Sequence, residues 1–268
     1  MTDPTTSQMI RAAIAASAEI MAVYARDFAA EAKSDGSPVT EADQRAEAVI
    51  LEHLETSGIP VLGEESVAAG IIPSLDGPFF VVDPLDGTKE FIKRNGEFTV
   101  NIALTGGVRP RSGVVLAPAT GELFWGDADG AFAARVDGDD VTGARPIRVD
   151  ATGPLRIVAS RSHGHAALAE LCDTMAVEQD VSVGSSLKFC LLARGEAQLY
   201  PRFTPTSEWD TAAGQAVLEA AGGVVWGLDG AVLTCGHRDK SFLNGFFIAA
   251  ASEELARKCL TEMKRLLA

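Results

Sequence analysis

Asp83 and Asp86 stand three residues apart in the stretch Val81-Val82-Asp83-Pro84-Leu85-Asp86-Gly87-Thr88-Lys89-Glu90. The apolar run from Phe79 to Val82 reads as a buried strand. Pro84 cannot donate to a ladder, so the chain is expected to leave the strand at Asp83 and turn. Asp86-Gly87-Thr88 then reads as the start of a short helix over Lys89 to Arg94, with Asp86 or Thr88 near its cap. Carboxylates, together with carbonyls and water, suit a hard cation such as Mg²⁺. Free N–H groups at a helix start suit a phosphate. One turn thus offers a metal site beside an anion site. Taken alone, the same string is more often a plain Asp-Gly turn.

Further acids lie at other element ends. Thr40-Glu41-Ala42-Asp43 opens a helix running to about Ser57, and a T-x-x-D capping box is enough to explain Asp43. The strand from Ile59 to Leu62 ends in Gly63-Glu64-Glu65-Ser66, where a glutamate is either a solvated loop charge or part of a carboxylate cluster. In Trp209-Asp210-Thr211-Ala212-Ala213-Gly214, Asp210 is either a helix N-cap or a carboxylate brought back from far along the chain. Carboxylates about 4 Å apart repel by roughly 4 kcal/mol at an effective dielectric near 20. Convergence of Asp43, Glu64, Asp83, Asp86 and Asp210 would therefore demand protons or bound metal.

The elements that must position these acids fall into two kinds. Apolar residues at helical spacing predict a helix over residues 5–31, with a polar turn over 33–39. After Glu97, short β-runs at Phe98 to Leu104, Gly113 to Ala117, Leu123 to Trp125 and Ala131 to Val136 read as an antiparallel meander. Residues 145–155 read as a crossover. Beyond it strand and helix alternate up to a closing helix over Glu253 to Leu267. The division expected is an α+β part, 1–150, and an α/β part, 151–268, forming one compact unit.

Composition narrows the function. A net charge of −14 over 268 residues argues against nucleic-acid polymers and anionic membrane surfaces as partners. It leaves room for a small anionic substrate accompanied by metal ions. The four cysteines include no C-x-x-C pair, so neither a zinc site nor a disulfide framework is expected. No signal peptide and no apolar run of about 18 residues is visible, so a cytoplasmic protein without a membrane span is expected. Peripheral attachment to the inner face of a membrane is left open.

Together, Gly63-Glu64-Glu65, Asp83-Pro84-Leu85-Asp86-Gly87-Thr88 and the Trp209 to Gly214 segment resemble the three motifs of the inositol monophosphatase superfamily of Mg²⁺-dependent, lithium-sensitive phosphatases. The run from Asp83 to Leu104 resembles its CysQ-type bisphosphate nucleotidase branch in particular. So do Ser160-Arg161-Ser162-His163, Gly184 to Cys190, Leu199 to Phe203 and Ser241-Phe242-Leu243-Asn244. The resemblance implies an αβαβα layered sandwich, α+β joined to α/β, of the sugar-phosphatase type. It implies two or three Mg²⁺ ions held by Glu64, Asp83, Asp86, Asp210 and the Leu85 carbonyl. Asp43 and Thr88 would orient a water that Glu64 helps to activate. Gly87, Thr88, Ser162, His163, Gly184, Ser185, Lys188, Arg202 and Asp210 would meet the substrate. A nucleotide bisphosphate is the implied substrate, an inositol or sugar phosphate the alternative, and a monomer or homodimer the implied state. A catalytically silent binding protein on the same scaffold is the competing class, and the complete set of acids counts against it.

Overall fold

The computed structural model describes residues 3–32, 38–159 and 166–268. Asp3 caps the first helix, Pro4–Tyr24, by accepting from the N–H groups of Thr5 and Thr6. The helix ends seven residues before the predicted residue 31. The Arg94 guanidinium, from far along the chain, donates to the carbonyls of Tyr24 and Arg26. The chain is thereby turned into a strand, Ala30–Ala32, paired with Pro38–Thr40. The second helix, Glu41–Glu55, opens with the expected capping box.

Seven strands form the larger sheet in sequence order: Val61–Gly63, Phe80–Asp86, Thr99–Thr105, Pro110–Ala117, Glu122–Asp127, Gly130–Asp137 and Asp140–Ile147. The first pair is parallel and the rest antiparallel, as the meander predicts. The last strand was not expected, and residues 145–147 belong to it rather than to a crossover. Its residues are exposed except Ile147, so it carries no inside–outside alternation to read.

Side chains alternate across this sheet. Phe80, Val82, Val100, Ile102 and Val114 pack with the two N-terminal helices. Phe79, Val81, Ala103, Val115 and Phe124 face the other way, into a core shared with the helices Leu187–Ala193 and Ala212–Ala220. Beyond those helices lies a five-stranded sheet, in the order Gln179–Ser182, Arg156–Ala159, Leu199–Arg202, Phe247–Ala250, Val224–Gly227. The helices Ala166–Met175 and Glu253–Leu267 close its far face around Ile157, Leu199 and Ile248. The layers therefore run α, β, α, β, α. No helix among the described residues is long and apolar enough to cross a membrane.

Candidate active site

Contrary to the sequence reading, the chain does not leave the strand at Asp83. Asp83 pairs with Asn101 and Asp86 with Thr99, and the register shifts between them. Pro84 and Leu85 occupy this bulge, where a missing N–H costs no ladder bond. The Leu85 N–H instead turns onto Asp83 Oδ1 at 2.9 Å. The helix Thr88–Ile92 is not capped by Asp86 or Thr88 either. Gly87 takes the cap position at φ 95°, a left-handed conformation suited to glycine. Both side chains are engaged elsewhere. Thr88 Oγ1 lies 3.1 Å from Asp43 Oδ1 and 3.3 Å from the Leu85 carbonyl. Asp86 Oδ2 lies 3.4 Å from Asn101 Nδ2.

Asp43 is the acid of the expected capping box and also meets Thr88. Its Oδ2 accepts from the Thr40 N–H and hydroxyl, each at 2.8 Å, while Oδ1 accepts from Thr88. The cap holds the carboxylate still and leaves its other oxygen aimed at Thr88. Glu64 begins a short helix, Glu64–Ala68, that periodicity did not reveal. That turn is anchored by Glu47, a buried acid whose carboxylate accepts from the Glu65 and Ser66 N–H groups at 2.8 and 2.7 Å and from the Ser66 hydroxyl at 2.6 Å. Burial raises the Glu47 pKa. Sequence reasoning missed Glu47, although an acid on the stripe of Ala46, Ile50 and Leu54 is a readable sign of a buried partner.

Asp210 is not the N-cap of the helix Ala212–Ala220; Thr211 holds that place. The Asp210 carboxylate instead accepts from the Thr206 hydroxyl and from the Ser207 N–H. Thr206 and Ser207 pair with Asn244 and Leu243, and Asn244 Nδ2 donates to Thr211 Oγ1 at 2.9 Å. The Ser241 to Asn244 segment thus braces the loop that presents Asp210. Asn101 closes the arrangement, donating to Ser186 Oγ at 2.9 Å, while Ser186 Oγ donates to the Asp210 carbonyl at 2.7 Å.

A cavity of about 150 Å³ opens beside Asp86 and Asp210. Gly87 and Gly184 also line it, whereas Asp43, Glu64 and Asp83 are not among its lining residues. Ser185, Lys188, Tyr200 and Arg202 line it as well. Lys188 is only 4% exposed, donates to the Ser185 carbonyl at 2.9 Å, and stands 5.6 Å from the centre of the Tyr200 ring. Burial pulls its pKa down to about 8, against the field of Asp86. Arg202 reaches the Tyr200 hydroxyl at 3.4 Å. The Ser185 hydroxyl is buried without a hydrogen-bond partner. Ser162 and His163 lie outside the described residues. Glu97, Asn101 and Thr206 were not singled out in sequence, and nothing local marks them, since each acts on a residue brought near by folding.

The profile of the inositol monophosphatase family matches residues 1–267. The chain belongs to the inositol monophosphatase family. It is 47% identical over 232 residues to a Salmonella typhimurium protein named 3'(2'),5'-bisphosphate nucleotidase CysQ, covering 85% of this chain and 92% of that one. The crystal structure of CysQ from Bacteroides thetaiotaomicron, described as a bacterial member of the family, superposes with a TM-score of 0.77 at 36% identity, covering 93% of this chain and 98% of that one. The extragenic suppressor protein suhB from Bartonella henselae superposes with a TM-score of 0.76 at 26% identity, covering 98% and 99%.

Inositol monophosphatase family members are metal-dependent phosphatases, and the donor set here fits a divalent ion. Asp83 is 1% exposed, and its pKa is raised well above the usual range, first by burial and then by the fields of Glu64, Asp86 and Asp210. Asp86 is pushed up to about 6, by burial and then by Asp210. Asp210 is raised by burial. Acids from distant parts of the chain thus share one negative field, which Lys188 and Arg202 offset only in part. Among the described residues no group of three or more His, Cys, Asp or Glu side chains is placed, as they stand, to hold a metal ion together. The chemistry of the donors, hard carboxylate oxygens beside the Leu85 carbonyl, suits a hard divalent cation.

This field has a consequence for stability. With Asp86 at about 6 in the folded state and 3.8 as the ordinary value, the folded protein binds more protons than the unfolded chain between those limits. In the absence of metal, stability is therefore lost as pH rises through that window. Acidifying the EDTA-treated protein from pH 7.5 to pH 5 should add about 1–2 kcal/mol, a rise of a few degrees in Tm. Mg²⁺ added at pH 7.5 should raise Tm as well, and Asp86→Asn should gain less from acid than the wild type. A metal-free Tm that falls between pH 7.5 and pH 5 contradicts the shared field.

Proposed function

We propose that the protein is a Mg²⁺-dependent 3'(2'),5'-bisphosphate nucleotidase that hydrolyses the 3'-phosphate of adenosine 3',5'-bisphosphate, leaving AMP and phosphate. Such an activity would recycle a by-product of sulfate assimilation. The observation that carries this reading is the shared cavity: Asp86 and Asp210 line it together with the buried Lys188 and with Arg202. A substrate bearing a second phosphate suits a cavity that offers cations beside its acids. The names of the CysQ relatives point the same way.

In this reading Glu64, Asp83, Asp86, Asp210 and the Leu85 carbonyl would hold two or three Mg²⁺ ions, which would supply neutralisation of phosphoryl charge and activation of water. The remaining chemistry belongs to the chain. Thr88 donates its hydroxyl proton to Asp43 Oδ1, so its oxygen is left as an acceptor that orients the attacking water. Thr40 ties down the other Asp43 oxygen and keeps this pair aligned. Glu64 assists in activating the water. The Gly87 and Thr88 N–H groups, ahead of the first bond of their short helix, from Phe91 N–H to the Gly87 carbonyl, meet the scissile phosphate. The unpartnered Ser185 hydroxyl, Lys188 and Arg202 meet the second phosphate, near Gly184. Ser162 and His163 stay in the substrate-binding set on the resemblance alone. Residues 1–150 supply most of the metal site, and residues 151–268 complete it with Asp210 and the cationic wall.

The test is phosphate release across adenosine 3',5'-bisphosphate, inositol 1-phosphate, fructose 1,6-bisphosphate and AMP, with Mg²⁺ and with excess EDTA. Adenosine 3',5'-bisphosphate should give the highest kcat/KM, and EDTA should abolish release. Preference for inositol 1-phosphate would move the assignment to the inositol or sugar phosphatases. No release from any of them would favour a silent scaffold.

A further inference from the structure

Gly184 and Ser185 line the cavity, and Glu97, which also lines it, holds them from a distant part of the chain. Glu97 precedes the strand Thr99–Thr105 of the larger sheet. Its Oε2 accepts from the Gly184 N–H at 3.0 Å, across 87 residues of sequence. The approach leaves no room for a side chain at 184: a Cβ there would stand 2.7 Å from the Glu97 carbonyl oxygen and 2.9 Å from Glu97 Cβ. Ser185 follows at φ 50°, a left-handed conformation that a non-glycine residue adopts at a cost. In that conformation its carbonyl accepts from Lys188 Nζ at 2.9 Å. A short relay therefore runs from the Glu97 carboxylate through the Gly184–Ser185 backbone to the Lys188 ammonium.

We infer that Glu97 is a positioning residue for substrate recognition: by pinning Gly184 it fixes the Ser185 carbonyl, and through it the place at which Lys188 offers its charge to the second phosphate. This inference rests on the bisphosphate reading above. Glu97 acts as a hydrogen-bond acceptor, so an amide oxygen can replace its carboxylate oxygen. It lies outside the set of acids assigned to metal and water, so the chemical step should be untouched when it is changed.

The experiment compares wild type, Glu97→Ala and Glu97→Gln in Mg²⁺. It measures KM and kcat for adenosine 3',5'-bisphosphate, the Kd of AMP, the Kd of adenosine and the inhibition constant of inorganic phosphate. AMP retains the second phosphate, so its affinity reads the cationic wall without turnover. Losing one such hydrogen bond is expected to raise KM and the AMP Kd about five- to tenfold in Glu97→Ala. kcat, the inorganic phosphate constant and the adenosine Kd should stay within about twofold, and Glu97→Gln should restore KM and AMP affinity. Unchanged KM and AMP affinity in Glu97→Ala overturns the inference. So does an equal loss in every constant accompanied by a lower Tm, which marks a merely structural bond. A wild type that neither hydrolyses the bisphosphate nor binds AMP better than adenosine sinks the functional reading and this inference with it.

Discussion

Asp83→Asn should lower kcat/KM for the bisphosphate by about a thousandfold or more, some 4 kcal/mol of transition-state stabilisation, while the fold survives. Asp83 is buried, and its pKa is raised by burial and by Glu64, Asp86 and Asp210, so an ionised carboxylate there is costly unless a cation offsets it. The amide keeps the shape and keeps an oxygen that can accept from the Leu85 N–H, the contact that shapes the bulge. What it loses is the charge. The metal-free variant should accordingly melt at or above the wild-type temperature at pH 7.5, whereas the increase in Tm that Mg²⁺ gives the wild type should shrink. Phosphate release and melting curves with and without Mg²⁺ check both halves. Wild-type turnover in the variant would reduce Asp83 to a residue of the bulge.

Arg202→Ala, and Lys188→Met as a change that keeps the side chain's length, should each raise KM for adenosine 3',5'-bisphosphate about ten- to a hundredfold. The metals serve one phosphate, and the second must find its cations elsewhere. Lys188 and Arg202 stand together around Tyr200 and line the same cavity as Asp86 and Asp210. Arg offers a two-pronged contact to phosphate oxygens, Lys a compact charge. Lys188 is already desolvated in the free protein, which strengthens any bond it makes to an anion. On inositol 1-phosphate, which has no second phosphate, the same changes should alter KM by no more than about threefold. Equal losses on both substrates would assign these residues to the fold or to the metal site.

Much of this molecule is written locally. The Thr40–Asp43 capping box, the meander and the closing helix Glu253–Leu267 follow from short-range spacing, because caps, alternation and helical periodicity are properties of neighbouring residues. The acids were legible for a different reason: carboxylates at several element ends, with glycine and proline beside them, are unusual enough together to mark a site.

Other features were decided by partners far away in sequence. The first helix stops at Tyr24, where Arg94 takes the carbonyls of its last residue and of Arg26. The strand continues through Asp83 because Asn101 and Thr99 supply a ladder that accommodates Pro84 in a bulge. Asp210 looks like a cap in sequence, yet its carboxylate turns back to Thr206 and Ser207, which a small pairing with Leu243 and Asn244 holds in place. The edge strand Asp140–Ile147 shows no alternation because water surrounds nearly all of its side chains. By itself the sequence located the acids of the candidate site, since residue type and immediate neighbours are local properties, and the order of the layers followed from the resemblance of its motifs to the family. Tertiary structure alone decided that Glu64, Asp83, Asp86 and Asp210 share one field, and that Glu47, Glu97 and Asn101 support the site, because those relations depend on distances that no local pattern encodes.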